Sequence, residues 1–311
     1  MLIYIVKHLA RAVGVFLTVT FATFVVMYGN GAGVARSTLG MNASEEDVQH
    51  RVVELGLDRP LFVQYFEWLG GLFTGNLGRS YYTGQSVTSA LAVRVPVTMS
   101  LIIATLILTI VISVFLGVVA AYYGGWIDRT VQIIAGIGAA IPPFITAVVL
   151  VLVFAVNNPI FPATGYVRPT DSIPGWLASI TLPVTAILIG SLGASQIRGS
   201  VIDMLSRDFV RTLRARGISE KAVVFRHVLR SASGPGIIAF GLLVVAMFGG
   251  TIFVEQVFAL PGMGQLLNQS AQAGDVPMVM GCVLVMTVVV LVVNLAADIS
   301  NSALNPKARM R

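Results

Sequence analysis

Apolar residues along this chain do not alternate with polar ones but run on continuously, and most of the charge is gathered into the stretches between the runs. A membrane-crossing helix needs about 20 predominantly apolar residues. Six stretches meet that length, at roughly residues 9–28, 98–122, 131–156, 176–196, 236–258 and 276–297. They are rich in Leu, Val, Ile and Ala without period-two alternation, which argues against barrel strands and predicts an all-α membrane protein of six transmembrane helices.

The intervals carry their own patterns. An external segment at about 29–97 is too long for a simple connection. In it, NASEED (42–47) offers a helix start with Ser44 as N-cap and Asp47 three residues on. A second helix is expected from Pro60, with Leu61, Phe62, Tyr65, Trp68, Leu69 and Phe73 as an apolar stripe that lies in the membrane interface or against the bundle. AIPPF (140–144) predicts a kink in the third span, because proline removes a backbone donor. Residues 157–175, rich in Pro and Gly, read as an irregular connection. No repeat relates the halves, so 1–311 is expected to form a single domain.

Composition fixes the class. The chain is 56% hydrophobic and 11% charged, against roughly 25% charged in soluble domains, and its mean hydropathy is +0.86. The net charge of +6 raises the question of nucleic acid. Its distribution answers that question: with the N-terminus inside, 14 of the 20 Lys and Arg fall on the cytoplasmic side, among them Lys7, Arg11, Arg129, those from Arg198 to Arg230, and Lys307, Arg309 and Arg311. The positive-inside rule accounts for the excess without nucleic acid, and both termini are expected in the cytoplasm of a bacterial inner membrane. The first run can also be read as a signal peptide, but its apolar length exceeds the usual h-region of about 7–15 residues. Cys282 is the only cysteine, placed within the sixth span, so no intrachain disulfide can form and a buried structural role is expected.

Several chemistries are missing. No GxxxxGK loop exists, and none of Lys7, Lys221 and Lys307 follows a glycine. His8, His50 and His227 are widely separated and lack acidic or cysteine partners at metal-ligand spacing, so no metal is expected. An ion-coupled carrier would need acids at mid-membrane depth. The polar residues of the spans, such as Gln132, Gln196, Glu255, Asn294 and Asp298, lie towards the span ends or carry no charge.

What stands out is the basic stretch 208–230, inside a cytoplasmic loop at about 197–234. Arg207, Arg211 and Arg214 recur at helical spacing, Gly217 interrupts, and Ser219 is placed to cap a second short helix with Glu220 in its first turn and Arg226, His227 and Arg230 near its end. Ala222, Val223, Val224, Phe225 and Val228 are more apolar than a solvated surface helix requires. A short helix with an apolar centre and a basic rim suits a groove on a partner protein, and a positively charged loop resting on anionic lipid headgroups is the alternative.

At these residues, DFVRTLRARG (208–217) continuing through ISE (218–220) to RHVLR (226–230), the chain resembles the integral-membrane permeases of bacterial ABC importers in the dipeptide/oligopeptide family. RTL (211–213) stands where the wider superfamily has Glu-Ala-Ala, and LR (229–230) where it has Leu-Pro. Further similarity lies in ELGLDRPL (54–61) with Gln64 and Tyr65, GNLGRS (75–80), RVPVT (94–98), VEQVF (254–258), PGMG (261–264) and NP (305–306), features of the first of the two paired permeases. GNGAGVA (29–35) replaces the family's Pro-Gly-Asp-Pro element.

The resemblance implies the type I permease fold and half of a pathway that takes up short peptides by alternating access. The implied partners are a second permease, two ABC ATPase subunits that hold ATP and Mg, an extracytoplasmic solute-binding protein and the surrounding lipids. Arg211, Arg214, Ala215, Arg216, Gly217, Ile218, Ser219, Glu220, Val224, Phe225, Arg226 and His227 are the residues it assigns to ATPase coupling. Related importers carry nickel complexes, haem or glycosides, and an ATPase-independent channel or ion-coupled carrier is the alternative class.

Overall fold

A computed structural model of the chain describes residues 2–29, 31–40 and 42–304. Asn30 of the GNGAGVA segment, the NP pair at 305–306 and the basic residues Lys307, Arg309 and Arg311 lie outside the described residues. The fold is all-α: the sole β feature among the described residues is an isolated bridge between Arg79 and Ser86. Five helices are long and apolar enough to cross a membrane, and a sixth span exists if one bent pair is counted as a single crossing.

The chain divides into two compact units. The first comprises residues 1–98 and 261–291. It holds α1 (Leu2–Tyr28), α2 (Gly31–Leu39), α3 (Glu45–Glu54), α4 (Leu61–Phe73), the beginning of α5 (Val87–Tyr123), α13 (Met263–Ala273) and much of α14 (Val276–Leu304). Ser44 caps α3 as predicted, its side chain accepting from the backbone N–H of Asp47 at 3.2 Å. Pro60 stands at the N-cap of α4, just before the helix. Tyr65 carries the apolar stripe of α4 into a core with Phe24, Val34, Val276 and Met280, and its hydroxyl lies 2.9 Å from that of Thr20 on α1. Phe62 stacks on Phe21 with centroids 5.5 Å apart, so α4 packs against the first span.

The signature GNLGRS (75–80) ends at Ser80, whose hydroxyl donates to the buried carboxylate of Asp275 ahead of α14. The same carboxylate accepts from the N–H of Tyr81 at 3.1 Å. Cys282 is fully buried. The second span begins earlier than predicted, because α5 starts at Val87 and absorbs RVPVT with Pro96 inside the helix.

The second unit comprises residues 99–260 and 292–311. After α5 it contains α6 (Gly125–Ala140), α7 (Pro143–Val151) followed by a π-turn (Leu152–Asn157), α8 (Ile173–Gly190), α9 (Ala194–Leu205), α10 (Asp208–Ala215), α11 (Glu220–Ala222), a second π segment (Val223–Val228) and α12 (Leu229–Val257). The kink predicted in the third span is a full break. Pro142 and Pro143 supply no N–H for the carbonyls of Gly138 and Ala139, and Pro143 holds Pro142 extended at ψ 139°. Helices α6 and α7 therefore meet at 93°.

The fourth span also ends earlier than predicted. Helix α8 stops at Gly190, and Ser191 to Gly193 form a short non-helical link in which the Gly193 N–H donates to Ser113 Oγ of α5 at 2.9 Å. Gln196, expected at the end of that span, belongs to α9. Close approach fixes these crossings: a Cβ on Gly138 would fall 2.6 Å from the carbonyl oxygen of Ile189, and one on Gly117 would fall 2.8 Å from the side chain of Ile197.

Candidate functional site

Helix α10 has Asp208 in its first turn and Arg214 in its last, a polarity that complements the helix dipole. Its end is a Schellman motif. The N–H of Gly217 bonds to the carbonyl of Arg214 at 2.9 Å and that of Ile218 to the carbonyl of Leu213 at 3.2 Å. Gly217 sits at φ +75°, in the left-handed region that L side chains enter at a cost. The partly buried Leu213 and Ile218 pack on the same apolar cluster, completing the motif's hydrophobic contact.

Ser219 then occupies the N-cap position of α11 in extended conformation, but its side chain makes no cap bond, contrary to the sequence expectation. The turn is bridged ionically instead. Arg214 Nε donates to Glu220 Oε2 at 3.0 Å and Arg214 Nη2 donates to Glu220 Oε1, a two-pronged pair across Gly217. The Arg214 guanidinium holds the Glu220 carboxyl below the usual carboxylate range.

Beyond Glu220 the chain does not form a separate short helix. Its helical backbone continues through the π segment into α12, since no Gly or Pro intervenes before Gly234. One side of this run is core: Val223, Val224 and Val228 are buried with Val118 of α5, Ile197 and Val201 of α9, Val210 of α10 and Ala232 of α12. Grouping Val224 with the outward-facing residues is thereby corrected. Val224 is 1% exposed and Phe225 61%, so these neighbours serve different surfaces.

Phe225 is 61% exposed and is the large apolar side chain this run turns outward. In the same stretch Arg211, Arg214, Ala215, Arg216, Gly217, Ser219 and Arg226 are exposed, while Ile218, Glu220 and His227 are partly buried. The stretch thus exposes several arginines and one large aromatic over a packed apolar floor. Such a surface can accept a partner's apolar recess and acidic edge without itself needing to fold on contact.

Two further features were not singled out in the sequence. The first is a polar cluster joining α6 to α9, in which Arg198 donates through Nε and Nη2 to the two oxygens of Asp128. With the Gln132 amide turned so that its nitrogen donates to Ser195 Oγ at 2.7 Å, its oxygen accepts from Arg198 Nε at 3.0 Å and Nη1 at 3.1 Å. Opposite charges just before one span and just after another were its only signal. The second is a pair of adjoining cavities along α12. One, of about 470 Å³, is lined by residues including Gly136, Ala139, Ser191, Gly193, Gln196 and Phe240. The other, of about 390 Å³, is lined by residues including Pro142, Pro143, Phe144, Gly190, Gly250 and Phe253.

Comparison with known proteins covers nearly the whole chain. Residues 113–310 match the model of the family described as "Binding-protein-dependent transport system inner membrane component", and residues 1–102 match "Binding-prot-dependent transport system membrane comp, N-term". A Brucella abortus (strain 2308) protein, named as a permease of a peptide transport system, is 37% identical over 308 residues, 98% of each chain. A Sinorhizobium fredii protein named as a peptide ABC transporter permease is 30% identical over 310 residues, 99% of each. The oligopeptide transport system permease protein of Bacillus subtilis (strain 168) is 31% identical over 310 residues, 98% of each.

Proposed function

Because the chain belongs to the family of binding-protein-dependent transport system inner membrane components, the multi-pass permeases of ABC importers, we propose that it forms one half of a pathway for short peptides. It pairs with a second permease and receives peptide from an extracytoplasmic solute-binding protein. Two separate ATPase subunits, which hold ATP and Mg, drive the cycle. Both termini lie in the cytoplasm, in keeping with the basic-residue asymmetry. The peptide class rests on the named transport of the relatives.

The observation that carries the coupling role is the outward Phe225 in a stretch that also exposes Arg211, Arg216 and Arg226, fastened from behind by Val223, Val224 and Val228. Phe225 enters an apolar recess on an ATPase subunit, Arg211, Arg216 and Arg226 orient it by charge-assisted bonds, and the Gly217 turn sets the angle of presentation. Closure of the ATPase pair on ATP pulls this surface, and the membrane helices follow.

The test uses Gly217→Pro and Phe225→Asp. Proline removes the N–H that bonds to Arg214 and imposes a negative φ on a left-handed position. Aspartate puts an unpaired charge into an apolar contact, at a cost of about 3–5 kcal/mol. Both variants are expected to insert in the membrane yet lose peptide uptake, with the ATPase subunits failing to co-purify or hydrolysing ATP without response to loaded binding protein. Wild-type uptake together with normal ATPase co-purification in both variants would exclude the coupling role and favour simple headgroup contact.

A further inference from the structure

Helix α9 has two working sides. Ile197 and Val201 are buried in the cluster with Val210, Val223, Val224 and Val228, so α9 is packed to the back of the exposed coupling surface. One residue beyond Ile197, Arg198 reaches the other way with two nitrogens to the carboxylate of Asp128, and Ser195 and Gln132 complete the junction with α6. The pair is not a loose surface contact: its side chains retain only 27% and 19% exposure. A two-pronged guanidinium–carboxylate contact fixes orientation as well as distance, which an ammonium does not do.

Helix α6 is in turn the first arm of the broken span. Its far end passes Gly138, in close contact with the Ile189 carbonyl at the end of α8, before the break at Pro142 and Pro143. Displacement of the coupling surface thus has a short physical route: through the valine cluster to α9, across Arg198 and Asp128 to α6, and along α6 to the break and the cavities beside it.

We propose that the Asp128–Arg198 junction, supported by Gln132 and Ser195, is a positioning contact that transmits movement of the coupling surface to the bent span. The proposal rests on the permease reading above. Removing either partner leaves the coupling surface intact, because neither residue belongs to it, and lets α9 slip relative to α6. ATP is then hydrolysed without delivering peptide.

The experiment compares the wild-type complex of both permeases, both ATPases and binding protein in proteoliposomes with Asp128→Asn, Arg198→Lys and the exchange Asp128→Arg/Arg198→Asp. Uptake is followed with a labelled tripeptide bound by the cognate binding protein, beside ATP hydrolysis in the same vesicles. The single variants are expected to assemble and to hydrolyse ATP, with the ratio of peptide delivered to ATP consumed falling about tenfold, within the range of one coupling contact. The exchange is expected to recover much of that ratio. Single variants with the wild-type ratio, variants that lose assembly and hydrolysis together, or an exchange no better than the singles would each overturn the proposal. If instead the wild-type complex shows no ATP-driven uptake, the permease reading itself fails, an outcome distinct from failure of the junction alone.

Discussion

Phe225 and Val224 are adjacent in sequence and opposite in consequence. Truncating Val224 removes methyl groups from a packed apolar cluster, so Val224→Ala is expected to destabilise this part of the fold by about 1–2 kcal/mol through transfer and cavity costs. It should appear as reduced thermal stability with ATPase binding retained. Phe225→Ala should do the reverse, leaving the melting temperature unchanged while ATPase co-purification is lost; equal melting losses in the two variants would show that Phe225 is core. Which of these neighbours faces outward was not legible in the sequence, because both are apolar and the cluster that claims Val224 comes from α5, α9 and α10. Gly217 was legible, since a basic helix that must end and turn needs a left-handed residue. The N-cap position of Ser219 was legible, but its side chain makes no cap bond, and the turn is bridged by Arg214 and Glu220. That pair has a pH signature. The folded-state pKa of Glu220 is depressed, so its contribution is present above the ordinary carboxylate pKa and is lost as pH falls through the depressed value. The protection of the Gly217 and Ile218 amides, taken as exchange relative to the intrinsic rate at each pH, should be raised by this pair at neutral pH and should fall in that acidic window; in Glu220→Gln the acid-dependent fall should vanish.

At the scale of elements, the long apolar runs identified the spans because membrane burial demands them, but their ends were set by things the runs do not encode. Helix α5 begins at Val87 in spite of Arg94 and Pro96, as its opening turns belong to the first compact unit, where Gly281 lets α14 lie against Val87. The proline pair at 142–143 announced a bend but not its size. If those missing donors cause the break, Pro142→Ala/Pro143→Ala should let α6 and α7 join. Spin labels at Ile134 and Val149 should then lie near the separation of a continuous helix, about 22 Å between backbones at a rise of 1.5 Å per residue. A spin–spin distance unchanged from wild type would show that neighbouring helices, not the prolines, enforce the angle.

For the whole molecule, charge asymmetry makes the orientation testable. In sealed cells a thiol label at Arg216→Cys should react only after the membrane is opened, and one at Gln85→Cys should react from outside; reaction of position 216 from outside would reverse the topology. The family was legible because its motifs are chemically distinctive, as at GNLGRS, whose Ser80 meets Asp275 far along the chain. The Asp128–Arg198 junction was not, because two ordinary charges become a pair only once the helices are packed. The proline break carries one more implication. Hydrocarbon cannot hydrate a peptide carbonyl, so irregular backbone within a bilayer persists only where protein encloses it or water reaches it. With Ala139 deprived of a helical donor and cavities opening beside both Ala139 and Pro142, water is expected to reach the backbone at this break, where the dryness of the membrane would end.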